Sequence, residues 1–411
     1  MQNFELSYKT KKFFGDTFFI FGMIPSVNFG FKNLDSQPWT FIFSIIFLIM
    51  IVEVKLPKYS LIILILTIFG LIITFINTDL LYIHSSFRAI IGYLGLPVIY
   101  IAFYNYYIRY GFPIKLFIFF NILWIFFGFL EFLLPEFIEL ISSRRTSAGR
   151  GVTSLAPEPT YFGIYLFFSS WVLIETKDLI NNSKKNTLIL INILCIIFLA
   201  KSATVVLFII YVMILLFIVK IYYFSLNVPF SKKLFAKQII FCFIIFVVIY
   251  LLKDQLNGSR IISIFSKIND GSMMSVLAND WSINSRVEAI YFSVVGAFKN
   301  YLIPGGLDTF REMRSELFES MNSNVFSNRY NSVVIMSWNG SLLYDLGIFG
   351  VAIIILFFKA IYRKFRGSLL YFLSLFIILF SAIPIGFTFV PMLISLMVYS
   401  KNYDLLENVK K

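Results

Sequence analysis

The chain has 411 residues, of which 59% are hydrophobic and only 14% are charged, and its formal net charge is +13. Such a composition exceeds what a soluble fold buries, so it indicates a polytopic membrane protein and excludes a soluble enzyme domain. The positive charge is read as topology, with basic residues flanking helices against anionic lipid, rather than as nucleic-acid binding. Cys195 and Cys242 lie in apolar runs and do not predict a disulfide.

Apolar runs of about 15 to 22 residues without strand-like alternation predict an all-α fold, with residues 1–411 forming one membrane domain. The run from Thr187 to Phe224 is too long for one crossing at about 1.5 Å per residue, so we divide it at Lys201-Ser202. This predicts about twelve transmembrane helices, in chain order Phe13–Phe31, Trp39–Val54, Ser60–Ile76, Ala89–Tyr107, Pro113–Leu134, Thr160–Ile174, Thr187–Ala200, Ala203–Tyr223, Ala236–Leu252, Asn339–Phe358, Leu369–Ile385 and Phe387–Tyr399.

The distribution of basic residues predicts the orientation of these spans. With the N-terminus inside, 21 of the 35 Lys and Arg residues fall in short inner connections, as the positive-inside rule requires. Two hydrophilic segments then lie on the outer face. They are an arginine-rich loop at residues 135–159 and a long loop at residues 253–338.

The arginine-rich loop places cations where they are normally scarce, because such clusters collect on the cytoplasmic side. Arg144, Arg145 and Arg150 alternate with small residues whose backbone amides can turn toward an anion while guanidinium groups bind it. Pro159 suits the first turn of the next helix, whose N-terminus adds positive potential. We interpret the loop as a phosphate site, and contact with lipid headgroups or a neighbouring loop is the alternative.

Glu158, directly before Pro159, is a candidate general base. A carboxylate at the membrane surface could take the proton from an attacking hydroxyl. The alternatives are an ion-pair partner for Arg150, or a helix N-terminal carboxylate that interacts with the helix dipole.

In the long loop, Arg286 opens an amphipathic stretch that ends at Phe298 and precedes a sharp turn at Pro304-Gly305-Gly306. Arg286 is a candidate second phosphate ligand, since a diphosphate carries enough charge for two sets of donors. A solvated helix face is the alternative. After the turn, two further arginines stand beside two glutamates in a pattern that favours surface ion pairs: Arg311, Arg314, Glu312 and Glu316.

Little in the sequence suits a metal or a nucleotide. His84 is the one histidine and lies alone in a predicted short outer loop, no Asp-x-Asp pair occurs, and there is no P-loop. A Ser/His/Asp set cannot be assembled from it. We expect no metal, no cofactor and no ATP-driven chemistry.

Four short motifs occur in a characteristic order between Arg144 and Phe358: Arg150 with Ser154 and Glu158-Pro159, Lys201-Ser202-Ala203-Thr204 at the start of a helix, Arg286 ahead of Pro304-Gly305-Gly306, and Asn339-Gly340-Ser341 followed by Tyr344-Asp345-Leu346-Gly347-Ile348-Phe349-Gly350. In this order and placement the chain resembles the Wzy-type polymerases of bacterial O-antigen and capsule repeat units. These belong to a wider group that includes the O-antigen ligases.

The resemblance implies a GT-C-like, metal-independent glycosyltransferase at the periplasmic face of the bacterial inner membrane. The growing glycan would move from undecaprenyl pyrophosphate onto the nonreducing end of a repeat unit that is itself linked to undecaprenyl pyrophosphate. Arg150 and Arg286 would hold the pyrophosphate, and Glu158 would activate the acceptor hydroxyl. The further candidate substrate-binding residues are Arg144, Arg145, Tyr161, Lys201, Arg311 and Arg314.

The partners implied are the lipid-linked oligosaccharides, the lipid bilayer and a chain-length regulator protein, with no nucleic acid.

Two other functions remain open. Ligases of this group carry a histidine in the motif before the late span, where this chain has Trp338-Asn339-Gly340, and this favours a polymerase. A lipid-linked oligosaccharide flippase would place ionisable residues within its spans, which here are almost free of charge, with Glu131 as the main exception.

Overall fold

The computed structural model describes residues 7–27, 37–78, 83–136, 151–176, 179–225, 281–320, 326, 335–362 and 368–410. Within these ranges all regular secondary structure is helical, which confirms the predicted all-α class. The α-helices are α1 Tyr8–Met23, α2 Trp39–Met50, α3 Ser60–Ile76, α4 Ile83–Tyr110, α5 Ile114–Leu133, α6 Pro159–Glu175, α7 Asn182–Cys195, α8 Ala203–Ser225, α9 Trp281–Lys299, α10 Phe310–Ser320, α11 Trp338–Asp345, α12 Gly347–Ile361, α13 Ser368–Ile378 and α14 Phe389–Lys410. A π-helical turn, Ile196–Ala200, extends α7.

Several of these helices suit a membrane. In the described part of the chain, three are long and apolar enough to cross it: Ala89–Tyr110, Ile114–Leu133 and Asn182–Ala200. Shorter apolar helices accompany them at Trp39–Met50, Ser60–Ile76, Ala203–Ile218, Gly347–Ile361 and Phe389–Ser400. On α3, exposed Ile65, Phe69 and Ile72 form an apolar face of the kind that lipid covers. The predicted span Ala236–Leu252 lies outside the described residues.

Helix α6 lies at the centre of the described bundle. It is buried almost continuously from Pro159 to Leu173, because it packs against α5, α7, α8 and α14. A helix that is apolar around most of its circumference is expected in such a position. The predicted motif Glu158-Pro159 therefore lies at the end of an enclosed helix.

Two hydrogen bonds mark opposite ends of α3. At one end of the bundle, Lys55 N donates to Asn105 Oδ1 at 2.8 Å, which joins a predicted inner segment to the last turns of the predicted span Ala89–Tyr107. At the opposite end, Asn77 Nδ2 donates to Pro304 O at 3.0 Å, which joins the end of α3 to the long loop. We call this second end the loop end.

The predicted span Asn339–Phe358 is not one continuous helix. It divides at Leu346 into α11 and α12, and Gly347 adopts a positive φ of 55°. Ile348 N donates to Leu302 O at 2.7 Å, and a Cβ on Gly347 would lie 2.2 Å from that same oxygen. The break thus lets the turn of the long loop pack directly on the helix backbone.

The predicted span Leu369–Ile385 also ends early, because α13 stops at Ile378. Asn339 forms hydrogen bonds to the carbonyl groups at this end of α13. Its N–H donates to Leu379 O at 3.0 Å, and its Nδ2 donates to Phe376 O at 2.8 Å. The start of α11 therefore satisfies the last turn of α13.

Helix α4 begins at Ile83, six residues before the predicted Ala89. His84 therefore lies in the first turn of α4, and its predicted place in a loop was wrong. The helix continues through Pro97 to Tyr110, since neighbouring helices can satisfy the backbone groups that a proline frees.

Candidate functional site

The first turn of α6, with Glu158, Pro159 and Thr160, lies at the loop end of the bundle, where Thr160 contacts Arg286 of the long loop. Glu158 is the N-cap residue with an extended backbone, and its carbonyl accepts from Tyr161 N at 3.1 Å. Pro159 occupies the first helical turn, as predicted, because an N–H is not needed there. The Glu158 side chain is half-buried and makes no cap hydrogen bond, so its carboxylate stands beside the positive end of the helix.

The first turn of α8 contains the second predicted motif. The division at Lys201-Ser202 is confirmed: the π-helical turn ends at Lys201, which has a left-handed backbone with φ 46°, and α8 begins at Ala203. Ser202 is in the N-cap position, because its carbonyl accepts from Val206 N at 3.1 Å. Ser202 is 5% exposed and its hydroxyl has no hydrogen-bond partner.

Arg286 joins these two turns. It lies in α9, which confirms a helix over the predicted stretch, but α9 begins at Trp281, so the prediction that Arg286 opens the helix was wrong; its side chain is half-buried. One guanidinium nitrogen, Nη2, donates to Thr160 Oγ1 at 2.9 Å, and the other, Nη1, donates to Thr204 Oγ1. Three motifs that are far apart in the sequence therefore meet at one place.

Helix dipoles and charged side chains meet at this place. Both α6 and α8 present their N-termini, where the helix dipole is positive and anions are stabilised. Arg286 adds a full positive charge at the same ends, and Lys201 is within the turn that precedes α8. The carboxylate of Glu158 at the N-terminus of α6 adds a negative charge, so cationic and anionic groups stand together at this place.

The arginine-rich loop reaches the bundle through Glu131. This carboxylate is 1% exposed within α5, and its Oε2 accepts from Thr153 N at 2.6 Å, Ser154 N at 2.6 Å and Thr153 Oγ1 at 3.0 Å. Val152 N donates to Leu199 O at 2.9 Å on the π-helical turn. The segment after Arg150 is therefore fixed between α5 and the approach to α8.

Two substitutions of Glu131 should lower stability by different amounts. Glu131→Leu removes the acceptor for two buried amides and should destabilise this segment by roughly 1–3 kcal/mol per unsatisfied group. Glu131→Gln keeps an oxygen but loses the charge, so a smaller loss is expected. The measurement is the amount of long-chain surface polysaccharide in cells that contain each variant at matched membrane levels.

The matched control for Glu131 is Glu136→Gln, which changes an exposed carboxylate just beyond α5. Its glycan pattern should equal that of the unmodified protein. A full-length ladder from Glu131→Leu would contradict the role given to this carboxylate.

Arg314 was expected at the surface and is instead buried. It is 1% exposed, and its Nη2 lies 3.0 Å from Oε2 of Glu288, which is 0% exposed. The pair lies in a small core between α9 and α10 that includes Phe292, Phe310 and Met313. An arginine enclosed by apolar side chains requires a carboxylate partner, so the structure places Arg314 in a core rather than on an open surface.

The remaining predicted site residues occupy different surroundings. Arg311 is exposed on α10. Tyr161 is 8% exposed and lines a small cavity with Trp124, Tyr165 and Phe387. Arg144, Arg145 and Arg150 lie outside the described residues. Among the residues that the structure describes, no group of three His, Cys, Asp or Glu side chains is placed to hold a metal ion.

Sequence reasoning missed Thr160, Thr204 and Ser202 as individual contributors, although two of the quoted motifs contain or adjoin them. Hydroxyls in the first turn of a helix that follows a basic residue are the signal that could have found them. Glu131 was noticed for its charge and was given no partner. Comparison with known proteins finds no matching family model, no matching curated protein and no matching solved structure.

Proposed function

We propose that this protein is a polymerase of lipid-linked oligosaccharide repeat units of the O-antigen or capsule type. It would transfer the growing glycan from undecaprenyl pyrophosphate to the nonreducing end of a new repeat unit carried by undecaprenyl pyrophosphate. The proposal includes a GT-C-like arrangement of about twelve spans in the bacterial inner membrane, with the active site facing the periplasm.

The observation that carries this proposal is the bridge that Arg286 makes between Thr160 and Thr204. It brings together the motifs on which the resemblance rests, and it concentrates positive potential where a leaving diphosphate would need it. Glu158 lies at the same helix end, within reach of a substrate bound there.

The reaction needs no group beyond these residues and the two glycans. The acceptor hydroxyl oxygen attacks the anomeric carbon of the donor, and the bond from that carbon to the pyrophosphate oxygen breaks. The electron pair of that bond stays with undecaprenyl pyrophosphate, whose added charge Arg286 and Arg150 would stabilise. Glu158 would take the proton from the acceptor hydroxyl.

The carboxylates that lie within predicted spans support a transporter less well than a polymerase, because each binds a neighbouring segment. Glu131 binds the arginine-rich loop, Asp16 accepts from Tyr106 at 2.5 Å, and Asp345 accepts from Tyr93. A transport pathway would instead direct such groups toward a central cavity for the cargo or the coupling ion.

Deletion of the gene followed by gel analysis of surface glycans tests the function. A polymerase defect leaves single repeat units on the lipid A core, because ligation and export continue. Absence of any capped core would instead indicate a ligase or a flippase and would overturn the proposal.

Glu158→Gln tests the general base. The amide retains the size of the side chain and cannot accept a proton, so we expect transfer to slow by about 10²–10⁴-fold while lipid-linked substrate still binds. Transfer rate and substrate binding are measured separately on the purified protein. Unchanged transfer by Glu158→Gln would remove this residue from the mechanism.

A further inference from the structure

In the contact between Arg286 and its two threonines, the threonine O–H groups remain available as hydrogen-bond donors. The guanidinium donates to Thr160 Oγ1 and Thr204 Oγ1, so each hydroxyl acts as an acceptor in this contact. A threonine hydroxyl also has one O–H of its own to donate. Both side chains are half-buried, so a ligand that binds beside Arg286 can reach them.

Ser202 supplies an independent observation. Its hydroxyl is buried without a partner, although serine in an N-cap position ordinarily accepts from a helix amide. Its Cβ lies 3.3 Å from the position that a Cβ on Gly163 would occupy, so the side chain faces α6 one turn beyond Thr160. A buried, unbonded hydroxyl is destabilising unless something binds it.

Resting on the polymerase function proposed above, we propose that Ser202, Thr160 and Thr204 form a hydroxyl set that donates hydrogen bonds to the diphosphate while Arg286 supplies the charge. The first-turn amides of α8 would complete the site, since the Ser202 hydroxyl does not cap them. The ligand class is a diphosphate monoester, whose many oxygens can use both helix ends.

The three hydroxyls and Arg286 have different tasks. The charge of Arg286 attracts any anion over a long distance. The hydroxyl donors act only at hydrogen-bond distance, so they favour a ligand whose oxygens have the matching arrangement. A diphosphate carries oxygens on two phosphorus atoms and so can accept from more of these donors at once than a single phosphate can. Pyrophosphate should therefore bind more tightly than phosphate, and the hydroxyls should account for part of this difference.

The test is a calorimetric titration of the purified full-length protein in a non-ionic detergent, so that no phospholipid phosphate competes. Inorganic pyrophosphate and inorganic phosphate are the probes. Ser202→Ala and Thr204→Val should each weaken pyrophosphate binding roughly tenfold, because each removes one hydrogen bond to a charged group. Thr204→Ser should restore most of the affinity, since it restores the hydroxyl.

Thr187→Val is the matched control. Thr187 donates to Ser183 O at 3.0 Å on an exposed turn near the start of α7, whereas Ser202 follows the other end of that helix, so removal of the Thr187 hydroxyl should leave pyrophosphate binding unchanged. Ser202→Ala carries a second signature. Without ligand its apparent Tm should be equal or higher, because a buried unsatisfied group is gone, while the rise in Tm on adding pyrophosphate should shrink.

Unchanged pyrophosphate affinity in both Ser202→Ala and Thr204→Val would overturn the inference, as would phosphate binding as tightly as pyrophosphate. This outcome is distinct from failure of the proposed function. Normal hydroxyl-dependent pyrophosphate binding in a protein whose gene deletion leaves glycan length unchanged would refute the polymerase and retain the diphosphate site. Polymerase activity that survives loss of the hydroxyls would do the opposite.

Discussion

Arg286→Ala is expected to abolish the extension of surface polysaccharide chains while the protein remains in the membrane. The side chain makes the bridge between the first turns of α6 and α8, and its charge would stabilise the departing diphosphate. Loss of a single fixed donor at such a position typically slows a reaction by about 10²–10³-fold, and Arg286 supplies two donors and a charge. Silver-stained gels of surface glycans, compared at equal protein levels, provide the measurement.

Two further variants make the Arg286 result specific. Arg286→Lys keeps the charge but replaces the planar fork by a single ammonium group, so partial activity with shorter chains is expected. Lys299→Ala changes a cation on the same helix, at the end where it forms an exposed ion pair with Glu316 at 2.6 Å. Such pairs contribute little, so chain length should be normal. A normal ladder from Arg286→Ala would refute its assignment to the diphosphate.

Breaking the buried pair of Glu288 and Arg314 should produce the largest loss of stability. Either Glu288→Ala or Arg314→Ala leaves one charge enclosed without its partner, which typically costs about 3–5 kcal/mol. The apparent Tm of the purified protein should fall in both variants. Chain extension should fall with it, because Arg286 is two residues from Glu288 on α9.

The double variant Glu288→Leu with Arg314→Met separates the charge from the packing. Burial raises the pKa of Glu288 above its ordinary value, and the guanidinium of Arg314 opposes that rise. The ionised pair is thus held at an energetic cost, and apolar side chains of similar size should restore much of the stability that the single variants lose. A Tm for Arg314→Ala equal to that of the unmodified protein would contradict this account.

Much of the bundle could be predicted from hydropathy and local signals. Apolar runs predicted α2, α3 and α5 closely, and Pro159 and the Lys201-Ser202 pair marked real helix starts. These signals are local, since they depend on the residues within one or two turns. The interruptions at Leu346 and Ile378 are different in kind, because each is caused by a segment that is remote in the sequence.

The same distinction applies to the candidate site. The residue types of Arg286 and of the other motifs identified them as candidates. Their contacts, however, join residues that are 82 and 126 positions apart in the sequence. Hydropathy carries no information about such pairings. Arg314 shows the reverse case: neighbouring glutamates suggested a surface pair, yet the apolar side chains of α9 and α10 enclose it with Glu288.

The close backbone contact at Gly151 should couple the movements of two segments. A Cβ at this residue would lie 2.1 Å from Ala200 O, and the neighbouring Val152 is hydrogen-bonded to Leu199, so the loop and the chain leading into α8 touch without side chains between them. Interiors packed this closely transmit displacement rather than absorb it. A displacement of the chain at Gly151 should therefore also shift the turn at Lys201, so the two sides of this contact should move as one unit.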